Sequence, residues 1–377
     1  MSASSRGKKW RPVDANEIKT FLGMIIVTGL CPKSDIQDYW AGDETIDTPY
    51  FRNRMSRDRF LIILSNFHMS DNENQVPRGH DGFDPLYKVR PFINLVMGSF
   101  SDVYSPDRDL SFDEPTCAWK GRLRFRVYSP AKPTRFGIKL YQVCEATSGY
   151  CLGFDVYTCG TACTDYAELV GCIDATLTPK TVLVLLVRYG LIEKRQNVYM
   201  DNVYASPELL LELESQNTYA CGTLRVNRKG VPNAIKRKTK LRPTEFIFRR
   251  NGNMLAVKYH DKRDVHMLST IHEAKIAVLN KVDRRTDSLV SKPVCITDYV
   301  KFMAGVDLSD QFNSYNSCLR KTTKWYKKLL FHLFNVCLIN AYLLHKKLAP
   351  NEKKVGSPTI SYSSCQSIGI RSTQYFI

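Results

Sequence analysis

The sequence predicts an α/β protein of two or three domains, and three observations support this class. With 377 residues, the chain is longer than an average single domain. Apolar residues recur at helical spacing in the first 108 residues, which indicates a mostly helical N-terminal part. From residue 109 onwards, short runs of strand-forming residues alternate with helical segments, which indicates a mixed sheet.

The N-terminal part contains three predicted helices. The first follows Asp14, a residue suited to capping a helix, and carries apolar side chains from Ile18 to Leu30. Two further helices are predicted at residues 54–70 and 86–105, with a polar loop at 71–85 between them.

The sheet is predicted from runs that are rich in β-branched and aromatic residues. These runs are Asp109–Glu114, Gly137–Ala146, Tyr150–Tyr157 and Gln196–Met200. The four residues from Ala146 to Gly149 suit a hairpin turn between two of them. Helices are predicted at residues 164–190 and at Pro207–Leu213, the second with Ser206 as its N-cap and proline at its first position.

Residues 222–292 have a different character, with short strand-like runs separated by glycine, proline and basic residues. Between Gly222 and Val265 there are 13 Lys or Arg residues against three Asp or Glu residues. Strands are predicted at Glu245–Arg250, Met254–Tyr259, His266–Thr270 and Val294–Asp298. Helices are predicted at Leu308–Phe312 and, as one long apolar helix, at Lys328–Lys346, and residues 351–377 are predicted to be disordered.

The charge of the chain points to a polyanionic partner. There are 54 Lys and Arg residues against 37 Asp and Glu residues, which gives a net charge of +17. A nucleic acid fits this charge best and an anionic membrane surface second. The apolar stretch from Leu329 to Leu344 is interrupted by polar residues, and we expect it to be too short to span a bilayer. We therefore expect neither a membrane partner nor a small-molecule substrate.

The twelve cysteines predict reduced, buried thiols in an intracellular protein. They are scattered, and Cys159 and Cys163 have three residues between them with no second pair at zinc spacing. The chain start is basic but has no apolar segment directly behind it, so no signal peptide is predicted. Together with the positive charge, this favours the nucleus.

Three aspartates form the candidate catalytic group. Asp113 and Asp201 each lie at the C-terminal end of a predicted strand, and Asp307 lies at the start of a predicted helix. Carboxylates placed in this way can hold two Mg²⁺ or Mn²⁺ ions for phosphoryl transfer. The alternative is structural, because an aspartate at a strand end or a helix start often caps a turn or a helix. Glu114 is expected to point to the opposite face from Asp113, because side chains alternate along a strand.

The candidate DNA-binding residues lie in basic segments. Lys120–Lys139 contains seven Lys or Arg residues and no acid, with Trp119, Phe125, Tyr128 and Phe136 interleaved, which suits a phosphate-binding surface with stacking rings. The alternative is a solvated face of an antiparallel sheet. Trp325 is either a core aromatic or a ring that faces DNA. The full set is Lys120, Arg122, Arg124, Arg126, Lys132, Arg135, Arg225, Arg228, Lys229, Lys236, Arg237, Arg320, Lys321, Lys324 and Trp325.

Several ordered motifs together resemble the piggyBac transposase family and its transposon-derived relatives. They are LSFDEPTCAWKGRLRFRVYSPAKPTRFGIKLYQVCEATSGY at Leu110–Tyr150, VYMDNVYASPELLLELE at Val198–Glu214 with YACGTLRVNRKGVP at Tyr219–Pro232, and DYVKFMAGVDLSDQFNSYNSCLRKTTKWYKKLLFHLFNVCLINAYL at Asp298–Leu343. The opening PVDANEIKTFLGMIIVTGL is also similar. The resemblance covers roughly residues 12–345.

The resemblance implies an RNase H-like catalytic core in two parts, residues 110–221 and 293–312. A β-rich basic insertion at 222–292 would separate these parts. A mostly helical dimerisation and DNA-binding domain would be assembled from residues 1–109 and 313–350.

The resemblance also implies the roles of the acids and the reaction. The metal-binding catalytic aspartates of the family fall on Asp113, Asp201 and Asp307, and a fourth nearby acid falls on Asp310. The implied reaction is cut-and-paste DNA transposition at TTAA targets, carried out by a homodimer on double-stranded DNA. The family's zinc domain that reads the transposon ends has no counterpart in this chain, so we expect no structural zinc and little discrimination between DNA sequences. A second hypothesis is a domesticated protein that binds DNA without cleaving it.

Overall fold

The structure is a computed structural model that describes residues 10–158, 177–237, 241–242, 244–283, 288–315, 317–318 and 322–349. The predicted helical residues 164–176, the predicted tail at 351–377, and Cys159 and Cys163 lie outside this part of the chain. The chain forms two compact units. The first comprises the described residues up to Asn94 and from Phe312 onwards, and the second comprises those of Leu95–Gln311.

Ten α-helices lie in the described residues, together with 3₁₀ turns at Ile36–Trp40 and Asn72–Asn74. The helices are α1 Ala15–Leu30, α2 Pro49–Arg52, α3 Arg57–Asn66, α4 Arg90–Asp102, α5 Leu177–Arg188, α6 Pro207–Ser215, α7 Asn233–Lys236, α8 Val294–Phe302, α9 Gly305–Tyr315 and α10 Trp325–Leu348.

Twelve β-strands lie in the described residues, and all of them belong to the second unit. They are β1 Asp109–Asp113, β2 Thr116–Ala118, β3 Arg126–Tyr128, β4 Phe136–Glu145, β5 Cys151–Val156, β6 Asn197–Met200, β7 Tyr219–Thr223, β8 Phe246–Asn251, β9 Met254–His260, β10 Asp264–Ser269, β11 Ile276–Asp283 and β12 Ser288–Pro293.

The main sheet has the strand order β2-β4-β1-β6-β7-β10-β9-β8, with β3 and β5 also paired to β4. Strand β4 is antiparallel to β1, whereas β6 and β7 run parallel to β1. Every residue of β6 is buried, as are the three central residues of β1, because both strands lie in the middle of the sheet. The C-terminal ends of β1 and β6 therefore lie side by side at one edge of the central strands.

The predicted basic insertion contributes three strands to this same sheet. Strand β10 pairs with β7, and β9 and β8 continue the sheet beyond it. Helix α8 packs against this part through Cys295 and Ile296, which share a buried cluster with Tyr199 and Cys221. Strands β11 and β12 form a separate two-stranded ribbon.

The first unit is built around an aromatic core. Phe21, Phe51 and Phe60 are fully buried there, and the ring centroids of Phe21 and Phe60 lie 5.0 Å apart. Helix α1 is fixed to α3 by a bidentate ion pair in which Arg59 donates two hydrogen bonds of 2.6 Å to Glu17. This hydrogen-bonded pair lowers the pKa of Glu17 below its ordinary value.

Helix α10 belongs to this core. It begins three residues before and ends two residues after the predicted helix Lys328–Lys346, and the expectation that its apolar stretch is too short to span a bilayer was wrong. It has 24 residues and, by length and composition alone, could cross a membrane, as no other helix of the described chain could. A single helix of this kind is weak evidence for a membrane span, because the buried core helices of globular proteins pass the same test. Phe331 packs in the aromatic core, and the buried Asn335 donates a hydrogen bond of 3.1 Å to the Asn313 carbonyl oxygen. These contacts are those of a core helix.

Most predicted elements are confirmed within a few residues. Asp14 caps α1 by accepting a hydrogen bond from the Glu17 N–H group, and Ser206 caps α6. The turn between β4 and β5 has Gly149 at a φ of +75°, a region that favours glycine.

Two predictions from the sequence need correction, one about a strand and one about the burial of the cysteines. Val294–Asp298 was predicted as a strand but begins α8, because Cys295 and Ile296 on its buried face pack in the cluster that contains Tyr199 and Cys221. Eight cysteines are described and all are free; six are buried as predicted, Cys337 is partly buried, and Cys31 is exposed.

Candidate active site

A polar pocket lies at the edge of the sheet where β1 ends. Its volume is about 310 Å³. Four acids line it, two from the end of β1 and two from α9: Asp113, Glu114, Asp307 and Asp310. Lys132, from the loop between β3 and β4, lines the same pocket. This arrangement brings two of the three predicted catalytic aspartates to one cavity.

Asp201, the other predicted catalytic aspartate, lies next to Asp113 along the sheet edge. Phe112 of β1 pairs with Met200 of β6 in a parallel register, so the residue that follows each of them stands at the same level. Asp201 is not part of the pocket lining, but its charge reaches Asp113 and raises the pKa of that carboxyl group. Asp201 Oδ1 also accepts a hydrogen bond of 2.7 Å from the Val203 N–H group, so the capping role weighed from the sequence is present as well.

Two glycines allow α9 to approach the sheet and thereby place its two acids. A Cβ atom on Gly305 would lie 2.5 Å from Ser111 Oγ and 2.7 Å from the Glu145 carbonyl oxygen. A Cβ atom on Gly149 would lie 3.1 Å from Leu308 Cγ. Only glycine therefore permits this packing, which sets Asp307 in the first turn of α9. Asp310 follows three residues later and lies on the same face of the helix.

Glu114 contradicts the prediction that it points away from Asp113. Strand β1 ends at Asp113, so side-chain alternation does not extend to Glu114, which lines the pocket beside it. The Tyr204 hydroxyl donates a hydrogen bond to Glu114 Oε2, and Lys139 Nζ lies 3.5 Å from Glu114 Oε1. Both oxygens of this carboxylate therefore have partners, and Glu114 links β1 to β4 and to the segment after β6.

The acids at this edge raise one another's pKa. Burial raises the pKa of Asp113 to about 7, and the charges of Glu114 and Asp201 add to this rise. The pKa of Asp201 is also raised, first by burial and then by Glu114, while Arg225 and Lys139 act in the opposite direction. Burial and the neighbouring Asp307 raise the pKa of Asp310, against the effect of Lys132. Four acids and one lysine line the pocket, so acidic groups outnumber basic groups in its lining.

The donor set fits a hard divalent cation, although the ligands are not preassembled. Carboxylate oxygens are the ligands that Mg²⁺ and Mn²⁺ prefer, and a bound cation would favour the charged form of carboxylates whose pKa is raised by burial and by their acidic neighbours. Within the described part of the chain, no three His, Cys, Asp or Glu side chains are close enough together to form a metal site as they stand. The carboxylates at this edge would have to come closer together before three of them could hold one ion.

The basic segment from Lys120 to Lys139 forms a hairpin whose residues divide into two groups. Lys120, Arg122, Arg124, Arg126 and Arg135 are exposed, as a phosphate-binding surface requires. Lys132 instead faces the acidic pocket, and its Nζ donates a hydrogen bond of 2.7 Å to the Glu114 carbonyl oxygen.

The aromatic residues of this hairpin also differ in exposure. Trp119 and Phe125 are buried, so they are not stacking rings for a ligand. Tyr128 is 58% exposed and packs on Phe136 with the ring centroids 4.7 Å apart. Tyr128 therefore offers an exposed ring face of the kind that the sequence predicted, and Phe136 is partly buried.

Two predicted DNA-binding arginines lie beside the Asp201 turn. Arg225 Nε donates a hydrogen bond of 2.9 Å to Asn202 Oδ1, and Arg228 donates one to the Val203 carbonyl oxygen. They stabilise the turn that carries Asp201 and add positive charge next to it. Lys229, Lys236 and Arg237 are exposed on the segment that follows.

The remaining predicted DNA-binding residues belong to the first unit or are not described. Lys324 is exposed at the N-terminal end of α10, and Trp325 is partly buried with its ring 6.0 Å from that of Tyr326. This partial burial leaves both interpretations of Trp325 open. Arg320 and Lys321 lie outside the described residues.

Sequence reasoning missed three residues near the acids. Lys139 and Tyr204 contact Glu114, and Tyr299 of α8 has its pKa raised to about 12, first by burial and also by the charges of Asp201 and Asp113. Lys139 could have been found as the last cation of the basic hairpin. Tyr204 and Tyr299 carried no such signal, because a tyrosine in a helix or turn is usually a packing residue.

The chain is similar to known transposase-derived proteins over nearly its whole length. Residues 1–342 match the family described as Transposase IS4. The human PiggyBac transposable element-derived protein 3 is 30% identical over 347 residues, which cover 88% of this chain and 55% of that protein. The human PiggyBac transposable element-derived protein 2 is 25% identical over 341 residues, with the same two coverages. The chain thus spans about half the length of these curated relatives.

A solved structure confirms the predicted fold. The cryo-EM structure of a piggyBac transposase synaptic complex with hairpin DNA matches with a TM-score of 0.81 and 24% identity, covering 98% of this chain and 73% of that chain. The fold is therefore the predicted α/β fold with an RNase H-like core. With the match to residues 1–342 and the two human relatives, the chain belongs to the piggyBac transposase family.

Proposed function

We propose that this chain binds double-stranded DNA and cleaves and joins DNA strands at its acidic pocket with the help of Mg²⁺ or Mn²⁺. One observation carries the proposal: Asp113 and Asp201 end adjacent parallel strands, and α9 brings Asp307 and Asp310 to the same edge. Burial raises the pKa of Asp113, the charges of Glu114 and Asp201 add to this rise, and a divalent cation would offset both effects. The human relatives are transposable element-derived proteins, and the matching transposase was solved in complex with hairpin DNA, which supports DNA as the substrate.

Each part of the site has a role in this reaction. Asp113, Asp201 and Asp307 would hold the metal, with Asp310 as a further ligand. The bound metal would supply an activated attacking oxygen and stabilisation of the leaving 3′ oxygen. Glu114 keeps Asp113 in place through Tyr204 and Lys139. The exposed arginines and lysines of the Lys120–Lys139 hairpin bind backbone phosphates and bring the DNA strand to the pocket.

Four finer statements belong to the same proposal. The target is TTAA, whose central TA step is cheap to unstack and bend. Discrimination between a transposon end and random DNA is weak, because the proposed contacts are to backbone phosphates. Such contacts supply affinity, whereas contacts to bases supply specificity. The working form is a homodimer, and the protein acts in the nucleus. Competition binding at fixed salt would test the second statement, since a preference above roughly a thousandfold would contradict it.

The decisive experiment is strand cleavage in vitro. Purified protein is incubated with Mn²⁺ or Mg²⁺ and a labelled duplex that contains a TTAA junction, and nicked products are counted. We expect cleavage by the wild type and a loss of at least about a hundredfold in Asp113→Asn and Asp201→Asn, because each removes a charged ligand. Asp81→Asn, which changes an exposed acid in the loop before α4, serves as the control and should cleave normally.

The outcomes separate the two hypotheses about function. Duplex binding that weakens steeply with salt but no cleavage under any metal would support the silent DNA-binding protein instead. Equal cleavage by the wild type and Asp201→Asn would contradict the assignment of the site. A DNA affinity that does not change between low and physiological salt would contradict DNA as the partner.

A further inference from the structure

Lys132 has a different environment from the other cations of its hairpin. Strands β3 and β4 are joined by a tight loop in which the Ser129 N–H group donates to the Arg135 carbonyl oxygen at 2.8 Å. Arg135 at the end of this loop is exposed. Lys132 is partly buried and lines the acidic pocket together with Asp113 and Asp310. The loop thus directs a single ammonium group into the pocket.

The ammonium group of Lys132 lies at the pocket that the acids line. Its Nζ donates a hydrogen bond of 2.7 Å to the Glu114 carbonyl oxygen, one residue from Asp113. Its charge acts on Asp113 at the end of β1 and on Asp310 in α9, and in both cases it favours the charged carboxylate. It is therefore a cation shared by the two elements that form the pocket.

The other two cations near the acids have a different place. Lys139 contacts the Glu114 side chain, Arg225 is bound to Asn202, and the charges of both favour the charged form of Asp201. Neither of them lines the pocket. Within the lining residues, Lys132 alone carries a positive charge that a divalent ion would have to displace or oppose.

We propose that Lys132 is an internal counter-ion that competes with the divalent metal for the Asp113–Asp310 pocket and turns towards the DNA phosphate when the metal binds. This inference rests on the proposed function. The long, flexible lysine stem allows the ammonium to move between the acids and a phosphate. Because DNA withdraws Lys132 from the acids, DNA and metal each increase the affinity for the other. Lys132 is thus a positioning residue for metal and substrate.

The test measures metal affinity in the absence of DNA. Free Mn²⁺ is followed by electron paramagnetic resonance during titration of the full chain, so Mn²⁺ alone is the probe. We expect Lys132→Met to bind Mn²⁺ about tenfold more tightly than the wild type, because a cation near the metal position is removed. Lys132→Arg keeps the charge and should retain the wild-type affinity. Arg135→Met removes an exposed charge from the same loop and should leave Mn²⁺ affinity unchanged.

A second measurement tests the coupling to DNA. In the wild type, a short duplex of random sequence should increase Mn²⁺ affinity, and in Lys132→Met this increase should be at least about threefold smaller. Circular dichroism of each variant shows whether it is folded, and Lys132→Gln replaces Lys132→Met if that variant is not.

The possible results are distinguishable. Equal or weaker Mn²⁺ affinity in a folded Lys132→Met or Lys132→Gln variant, with saturable binding by the wild type, overturns the inference and leaves the proposed metal site intact. No saturable Mn²⁺ binding in either protein overturns the proposed metal site and the inference with it. An equal gain in Mn²⁺ affinity for Arg135→Met would show a general charge effect and would also overturn the inference.

Discussion

Replacing Tyr204 by phenylalanine tests how the acids are held in place. Tyr204 is fully buried, and its hydroxyl donates to Glu114 Oε2 while its ring contacts Phe112 edge-on at a centroid distance of 4.9 Å. Burial raises the pKa of the Tyr204 phenol far above its ordinary value, so the group is a donor at every working pH. The substitution removes this single donor and keeps the ring packing.

The expected cost follows from the contacts of Glu114. A hydrogen bond to a charged group contributes about 1.5–3 kcal/mol, and the ring contacts of Tyr204 remain. The Glu114 side chain is 16% exposed, so water partly replaces the lost donor. We therefore expect Tyr204→Phe to lower the free energy of unfolding by about 2 kcal/mol.

Urea unfolding followed by near-ultraviolet circular dichroism would measure this change. Tyr128→Phe is the matched control, since that tyrosine is 58% exposed and its loss should change stability by less than about 0.5 kcal/mol. A double-mutant cycle with Glu114→Gln isolates the pair, and we expect a coupling of about 1–2 kcal/mol. Additive effects of the two substitutions would refute the contact as the source of the stability.

Three further predictions concern packing, buried charge and pH. Gly305→Ala should lower the free energy of unfolding by about 1–3 kcal/mol and weaken Mn²⁺ binding, because a Cβ atom would lie 2.5 Å from Ser111 Oγ. Gly98→Ala is the control and should not destabilise the protein, because its Cβ atom would be 3.8 Å from its nearest neighbour. Glu145→Gln should cost about 2–3 kcal/mol in urea unfolding, because this buried carboxylate accepts three hydrogen bonds. Burial lowers the pKa of Lys327 from 10.5 to about 8 in the folded chain. Between these two pH values the unfolded chain binds more protons than the folded chain, so the contribution of this group to stability is lost as pH falls through 8. Unfolding at pH 7 and 9.5 should show a rise of about 1–2 kcal/mol with pH that Lys327→Met lacks, and an equal pH response in both proteins would contradict this.

The sequence was sufficient where a local pattern decides the structure. Asp14 and Ser206 cap the helices that they were predicted to cap, because a capping side chain contacts a backbone group only three residues away. The ends of β1 and β6 were predicted from alternating strand-forming runs followed by an acid, and the parallel register of these strands then places Asp113 beside Asp201. The hairpin turn at Ala146–Gly149 was likewise predicted from local residue types, and Gly149 in this turn has a φ of +75°.

The sequence was insufficient where a local preference competes with a distant contact. The β-branched residues of Val294–Asp298 favour a strand, yet the segment is a helix because Cys295 and Ile296 pack against Tyr199 and Cys221. The position of Trp119 is a similar case. Its neighbours are cations and suggested a DNA-facing ring, but the indole is buried.

The site itself depends on contacts that no local pattern contains. The Tyr204 hydroxyl bonds to Glu114 across 90 residues of sequence, and Lys132 bonds to the Glu114 carbonyl across 18. Each contact exists because the sheet brings the end of β1 next to the segment after β6 and next to the β3–β4 loop. From the sequence, Lys132 was one of seven cations in a run without acids, so its charge predicted affinity for a phosphate. In the folded chain the same charge lies among carboxylates, and it therefore bears on metal binding as well as on DNA.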